Sequence, residues 1–146
     1  MEVTSDIELL TFKVNGETFA VNTLEVESIV NVNKITSVPN TKSYIDGIMS
    51  YRNGTVSVIN LSKRMFNCDN DIKSEKTCIV CKVGNTKMAL HVPEIAKIIN
   101  LSSNDILPLD IIARSDKTII KNVLQHDKKI VQIVDLDKLY KETTES

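Results

Sequence analysis

The chain has no tryptophan, and its only aromatics are three tyrosines and three phenylalanines scattered along 146 residues. Proteins that hold single-stranded nucleic acid stack bases on aromatics set in a basic groove. Here the net charge is −1 and no run of Lys or Arg exists, so phosphate neutralisation has no carrier and nucleic acid is not an expected partner. Long apolar runs are missing too. The opening "MEVTSDIELL" mixes acids with its apolar residues and is neither a secretory leader nor a membrane span. The expectation is a cytoplasmic protein with no direct membrane insertion. Cysteines number three, an odd count without an export signal, which points to free thiols in a reducing compartment. There is no phosphate-binding glycine loop, no G-x-S-x-G elbow and no H-E-x-x-H helix.

What the chain does contain is a repetition. "FKVNGETFAVNTLEVESIVNV" (residues 12–32) overlies "CKVGNTKMALHVPEIAKIINL" (residues 81–101) without a gap. Lys13, Val14, Ala20, Glu25, Ile29 and Asn31 recur as Lys82, Val83, Ala89, Glu94, Ile98 and Asn100. Near the end of each half "VSVINLSKRM" from Val56 is answered by "VQIVDLDKLY" from Val131. One unit is written twice.

Within each unit, period-two segments rich in Val, Ile, Thr and aromatics are joined by turn dipeptides, which predicts hairpins. The turns fall at Asn15-Gly16, Asn53-Gly54 and Gly84-Asn85, with a fourth around His126-Asp127-Lys128. Short helices are predicted after Leu61 and Leu136, and single turns at "NTLEVESI" and "VPEIAKI". Many short strands repeated as a block predict an all-β protein of two small barrels related by internal duplication, with a short C-terminal helix. The expected organisation is one domain over 1–146: a first lobe at about 7–66, a polar linker at 67–75, and a second lobe with the helix at about 76–146. Lobes this small need one another for stability.

Candidate chemistry is thin. Cys78 and Cys81 have the spacing of half a zinc site, with Cys68 upstream, but strand residues an odd number apart face opposite sides, so no metal site is expected. Buried cysteines acting as small hydrophobes are the better account. His91 could pair with Glu94 or with a cysteine as a catalytic couple. The repeat puts Asn22 at the same place, so His91 reads as a structural or solvated residue on an edge. No cofactor and no catalytic residue is expected. The notable feature is apolar excess: Val26, Ile29, Val30 and Val32, then Ile95, Ile98, Ile99 and Leu101, exceed what one strand face can bury. The excess either packs lobe against lobe or lines a groove for a partner helix, and both remain open.

The stretch "VPNTKSYIDGIMSYRNGTVSVINLSKRMF" (residues 38–66) resembles the signature of the CheW family of chemotaxis coupling proteins. Gly47, Ile48, Arg52, Val58 and Leu61 stand in register with the family pattern, and the likeness runs on through "MALHVPEIAKII" to "VDLDKLY". Departures occur at Ser28, Ser50, Asn53, Ser57, Asn60 and Pro93. The resemblance implies two SH3-like five-stranded barrels with an apolar groove between them. It also implies a non-catalytic adaptor that links the regulatory domain of the histidine kinase CheA to the cytoplasmic tip of chemoreceptors and is recruited to membrane receptor arrays. On that basis Val26, Ile29, Val92, Ile95 and Ile98 would bury one face of a receptor helix, with Arg52 orienting it or bracing the groove. The alternatives are a nucleic-acid-binding barrel and a small β-barrel enzyme, which would need a basic aromatic stripe and convergent titratable groups respectively.

Overall fold

The computed structural model describes residues 6–69, 71–102, 105–112 and 117–144, with Asp6 described in its backbone alone. Residues 1–5 of the N-terminal segment, Asn70 of the expected linker and residues 145–146 of the tail lie outside the described residues. The first repeat forms β1 (Asp6–Val14), β2 (Glu17–Asn22), β3 (Val26–Val32), β4 (Ile45–Tyr51), β5 (Gly54–Asn60) and α1 (Leu61–Phe66). The second forms β6 (Lys76–Val83), β7 (Thr86–Val92), β8 (Glu94–Ser102), β9 (Ile106–Leu107), β10 (Ile120–His126), β11 (Lys129–Val134) and α2 (Leu136–Thr144). Echoing segments therefore take the same secondary structure. One difference lies at the crossovers. A 3₁₀ turn at Thr23–Glu25 leads into β3, whereas β8 starts straight after Pro93 with no turn, contrary to expectation.

The turns follow their chemistry with one shift. Asn15 and Gly16 both take positive φ, as do Asp127 and Lys128, the pattern that matches hairpin twist. In the β4–β5 hairpin Tyr51 pairs with Gly54, so the turn residues are Arg52 and Asn53, not Asn53 and Gly54. Arg52 takes φ 54°, a conformation that costs a non-glycine residue about 1–2 kcal/mol.

The strands assemble into two sheets of order β3-β6-β7-β5-β4 and β8-β1-β2-β11-β10-β9. The lobes are thus not the sequence halves expected at 7–66 and 76–146. Each repeat sends its first hairpin into the sheet of the other. β7 joins β5 in parallel with Val58 beside Ala89, and β2 joins β11 in parallel with Ile133 beside Ala20. Those two pairs occupy equivalent places in the duplication, so the exchange is symmetric. Nor are the sheets closed barrels of five strands: the ladders are open, and one has a sixth strand, β9. The Leu107–Val123 pairing of that strand has its counterpart in a single bridge between Thr36 and Ile48. There Gly47, at φ 142°, lets the chain approach so closely that an added Cβ would lie 2.0 Å from the Thr36 carbonyl oxygen.

Alternation divides the apolar residues among three cores. Leu10, Phe12 and Val14 of β1, with Ile79, Cys81 and Val83 of β6, face the space between the sheets. Leu9 and Ala20 line the concave side of one sheet, and Cys78, Val80 and Ala89 that of the other. The inter-sheet core holds more buried side chains than the other two together, but of the apolar excess only Val26 and Ile95 pack against it; Val30 and Val32 join one concave core, Ile99 and Leu101 the other, and Ile29 and Ile98 stay exposed. At about 1.5–3 kcal/mol per buried large side chain, the sheets are held as one body. Cys78 and Cys81 enter different cores, as their odd spacing requires.

Candidate functional site

Two edge strands, β3 and β8, carry five of the six residues of interest or border them. Asn22 accepts a hydrogen bond from the Leu24 amide at 2.9 Å and so shapes the turn that delivers β3. Val26 then lies opposite Cys81, and Ile95 opposite Phe12; both are half-buried against the inter-sheet core. Three residues further along, Ile29 lies opposite Ile79 and Ile98 opposite Leu10. Paired residues share a face, so both isoleucines stand on the inter-sheet side at the outer edge of their sheets. They are 46 % and 57 % exposed. Since they are also equivalent in the repeat, the molecule presents the same exposed apolar residue twice. Val92 is different. It is 0 % exposed within the inter-sheet core, and it leaves the set of residues a partner could touch.

Arg52 sits in the turn after β4, with its side chain 63 % exposed. Its guanidinium lies 5.2 Å from the centre of the Tyr51 ring, and Nη1 is 3.9 Å from Glu27 Oε2. The Tyr51 hydroxyl donates to Glu27 Oε2 at 2.6 Å and lies 2.6 Å from Ser28 Oγ, while Lys87 Nζ approaches Glu27 Oε1 at 3.1 Å. The Tyr51 hydrogen bond, followed by Lys87 and Arg52, holds the Glu27 carboxyl below its usual range. These side chains bring β3, β4 and β7 together at one end of the five-stranded sheet, beside an open cleft of about 660 Å³ that α2 borders through Tyr140 and Thr143. Tyr51 packs with the concave core and Val30 does too, whereas Ile29 faces the other way. β3 therefore separates Arg52 from the isoleucines, and the expected site divides into an apolar edge and a polar turn.

A buried polar group was not legible as such. His91 is 2 % exposed, within β7 and away from any edge. Its Nδ1 lies 2.7 Å from Asp46 Oδ2 and its Nε2 2.7 Å from Asp71 Oδ2. Asn60 Nδ2 donates to Asp69 at 3.0 Å and to Asp46 at 3.3 Å, and Lys63 Nζ stands 3.6 Å from Asp46. With both ring nitrogens occupied, His91 has no free lone pair with which to act as a base. Cys78, opposite it in the ladder, has its thiol pushed up to about 12 by burial and by the charges of Asp46 and Asp71, so it is no nucleophile. Among the described residues no group of three or more His, Cys, Asp or Glu is placed to hold a metal ion. A second ionic group fixes the C-terminal helix: Arg64 donates from Nε and Nη2 to Glu142 at 2.6 and 2.7 Å, and the Tyr44 hydroxyl joins the same carboxylate at 2.8 Å. Both groups link residues far apart in sequence, and no local pattern marks them.

Comparison with known proteins yields a family and a fold. A model described as the CheW-like domain matches residues 8–144. The chain is 25 % identical to the chemotaxis protein CheW of Bacillus subtilis, over 99 % of this chain and 94 % of the relative. It is 23 % identical to that of Thermotoga maritima, over 95 % and 91 %. Among solved structures, the scaffolding protein TtCheW from Thermoanaerobacter tengcongensis superposes with a TM-score of 0.81 at 22 % identity, covering 89 % of each chain.

Proposed function

The chain belongs to the CheW-like domain family, and from that premise we propose that it is a non-catalytic chemotaxis scaffold holding the cytoplasmic tip of a chemoreceptor against the regulatory domain of the histidine kinase CheA. The observation that carries the receptor contact is the pair Ile29 and Ile98: equivalent in the duplication, apolar, and about half exposed while their ladder partners are buried. An amphipathic receptor helix laid along such an edge would bury these side chains, with Val26 and Ile95 as the half-buried floor. Arg52 lies apart from them and in this reading braces the turn end of the five-stranded sheet. Signal transmission then depends on how kinase and receptor are held, and no small molecule enters.

The test is binding of a receptor cytoplasmic fragment and of the CheA regulatory domain to Ile29→Asp, Ile98→Asp and Val92→Asp, each beside its melting curve. A carboxylate at an apolar contact loses the buried area and must be desolvated, together about 2–5 kcal/mol, so the two edge variants should melt within a few degrees of the parent yet bind receptor at least tenfold more weakly. Val92→Asp should unfold the protein, because the charge enters the inter-sheet core. Well-folded edge variants that bind receptor as the parent does would remove the edge from the proposal. A parent that binds neither fragment would remove the scaffold itself.

A further inference from the structure

The segment between the repeats, described at residues 67–69 and 71–75, is tied down in a way that its polar composition does not suggest. Asp69 takes Asn60 Nδ2, and Asp71 Oδ1 accepts from the Lys73 amide at 3.1 Å. Lys76 Nζ donates to the Asp71 carbonyl at 2.9 Å, and Lys73 Nζ to the Pro93 carbonyl at 2.9 Å, where the chain crosses from β7 to β8. The bond that reaches deepest is Asp71 to His91. Its ring is in turn bonded to Asp46 on β4, so one imidazole connects the strap, β7 and the edge strand.

The distances fix its protonation. A neutral imidazole has one N–H and one lone pair, and can satisfy only one of two carboxylates. Both nitrogens here lie 2.7 Å from oxygens of aspartates that stay ionised, so both donate and the ring is the imidazolium. We propose that His91 is a pH-operated latch: its imidazolium fastens the inter-repeat strap, through Asp71, to β4, through Asp46, and loss of one ring proton releases the strap. The strap side is the side that lets go. Asp46 keeps Asn60 and Lys63 whatever His91 does, whereas the remaining bonds of the Asp71 side chain and carbonyl are to Lys73 and Lys76, its near neighbours in sequence.

The groups around the ring are Asp46 from β4, Asn60 from the end of β5, Lys63 from α1, Asp69, Asp71 and Lys73 from the strap, and Lys76 and Cys78 from β6. Burial by itself would lower the His91 pKa, but the hydrogen bonds to Asp46 and Asp71 outweigh it, so the charged form persists above the ordinary 6.5. For both aspartates burial is likewise outweighed, by His91 first, and they stay ionised below the ordinary 3.8. A raised histidine contributes stability that is complete below about pH 6.5 and is lost as pH rises through its folded value. Lowered carboxylates lose theirs only as pH falls through their folded values, under acid. The strap is fastened above the lowered values of the two aspartates and opens as pH rises through the raised value of His91.

The experiment follows the full chain from pH 5.5 to 9.5, reading the His91 ring by NMR and the amide protection factors of residues 71–76 by hydrogen exchange, with intrinsic rates divided out. His126, on the opposite sheet, serves as the internal reference ring. In the parent, His91 should titrate above 6.5 and strap protection should fall at least tenfold over the same interval. Asp71→Asn keeps a hydrogen-bond acceptor but removes the charge, and should move both transitions to lower pH together. His91→Asn, which places there the residue found at position 22, should leave strap protection low and flat with pH. Strap protection that stays constant while His91 titrates would overturn the latch, as would a ring titrating at or below 6.5. Asp71→Asn with unshifted transitions would do the same.

Discussion

At the end of the five-stranded sheet, Asp46, Asn60 and His91 form one bonded set; the duplication puts Lys121, Asp135 and Asn22 at the corresponding positions of the other sheet. Asn60 and Asp135 keep a common task, each accepting from the amide three residues on, Lys63 or Lys138, at 3.1 Å to begin a helix. Around that shared cap the two sites diverge. Asn22 turns to the local amide of Leu24, while His91 reaches across to two carboxylates. Near the second site the carboxyl of Glu25 is raised, chiefly by burial and partly offset by Lys121, and its Oε1 is buried without a hydrogen-bond partner. Duplication here preserved what the backbone needs, caps and register, and left the side chains at the crossovers free to acquire different work.

The sharpest contrast lies at the bulges of the β4–β5 and β10–β11 hairpins, where Gly47 is matched by Asn122, opposite Val58 and Ile133 at the same ladder position. Gly47→Ala should cost about 3 kcal/mol or more in urea unfolding, because the methyl meets the Thr36 carbonyl and the backbone conformation is strained for any L side chain. Asn122→Ala should cost less than about 1 kcal/mol. Equal costs would show that the closer approach at Gly47 is not a feature of one sheet alone. The helices give a smaller contrast. Leu61 and Leu136 anchor both helices in the inter-sheet core, but Arg64 corresponds to Leu139: at that position α1 offers an ion pair to Glu142 of α2, whereas α2 inserts a second leucine into the core. Arg64→Ala should lose about 2 kcal/mol and speed hydrogen exchange in the last turn of α2, since Glu142 is left part-buried with fewer donors. Smallest is the turn pair Arg52 and Asp127, both at positive φ. Arg52→Asn exchanges a strained residue for one that tolerates the conformation, at the loss of a cation–aromatic contact, and the melting midpoint should change by less than about 1 kcal/mol equivalent. A larger loss would show that the contacts of Arg52 to Tyr51 and Glu27 outweigh its backbone strain.

How far the sequence announces all this depends on whether a feature is local. Strands, hairpins and the duplication rest on spacing within some twenty residues, and they are legible because alternation and turn chemistry act at that range. The turn at Arg52-Asn53 is displaced by one residue from the Asn-Gly signal because Gly54 pairs with Tyr51, and ladder register outranks local preference. Hairpin exchange is invisible for a different reason. β1 and β6 are apolar on both faces and would bury the same residues in either sheet, so their pattern says that neighbours exist and not which repeat supplies them. Ile29 and Ile98 were legible as surplus; Val92 was not separable from them, because an apolar residue ending a strand reads the same at a core and at a rim. The bonds of His91 span 45 and 20 residues and have no one-dimensional trace.

The exchange of hairpins also orders events during synthesis. β1 and β2 emerge first and close on each other at once through Asn15 and Gly16, but the outer neighbour of β1 begins at Glu94 and that of β2 at Lys129. Loop closure over such distances is entropically costly and slow, and the apolar face of the early hairpin stays uncovered until most of the chain has been made. β6 and β7, by contrast, find β3 and β5 already waiting. The five-stranded sheet can therefore be completed while the ribosome is still adding β8 to β11, and the first hairpin synthesised is the last to find its place.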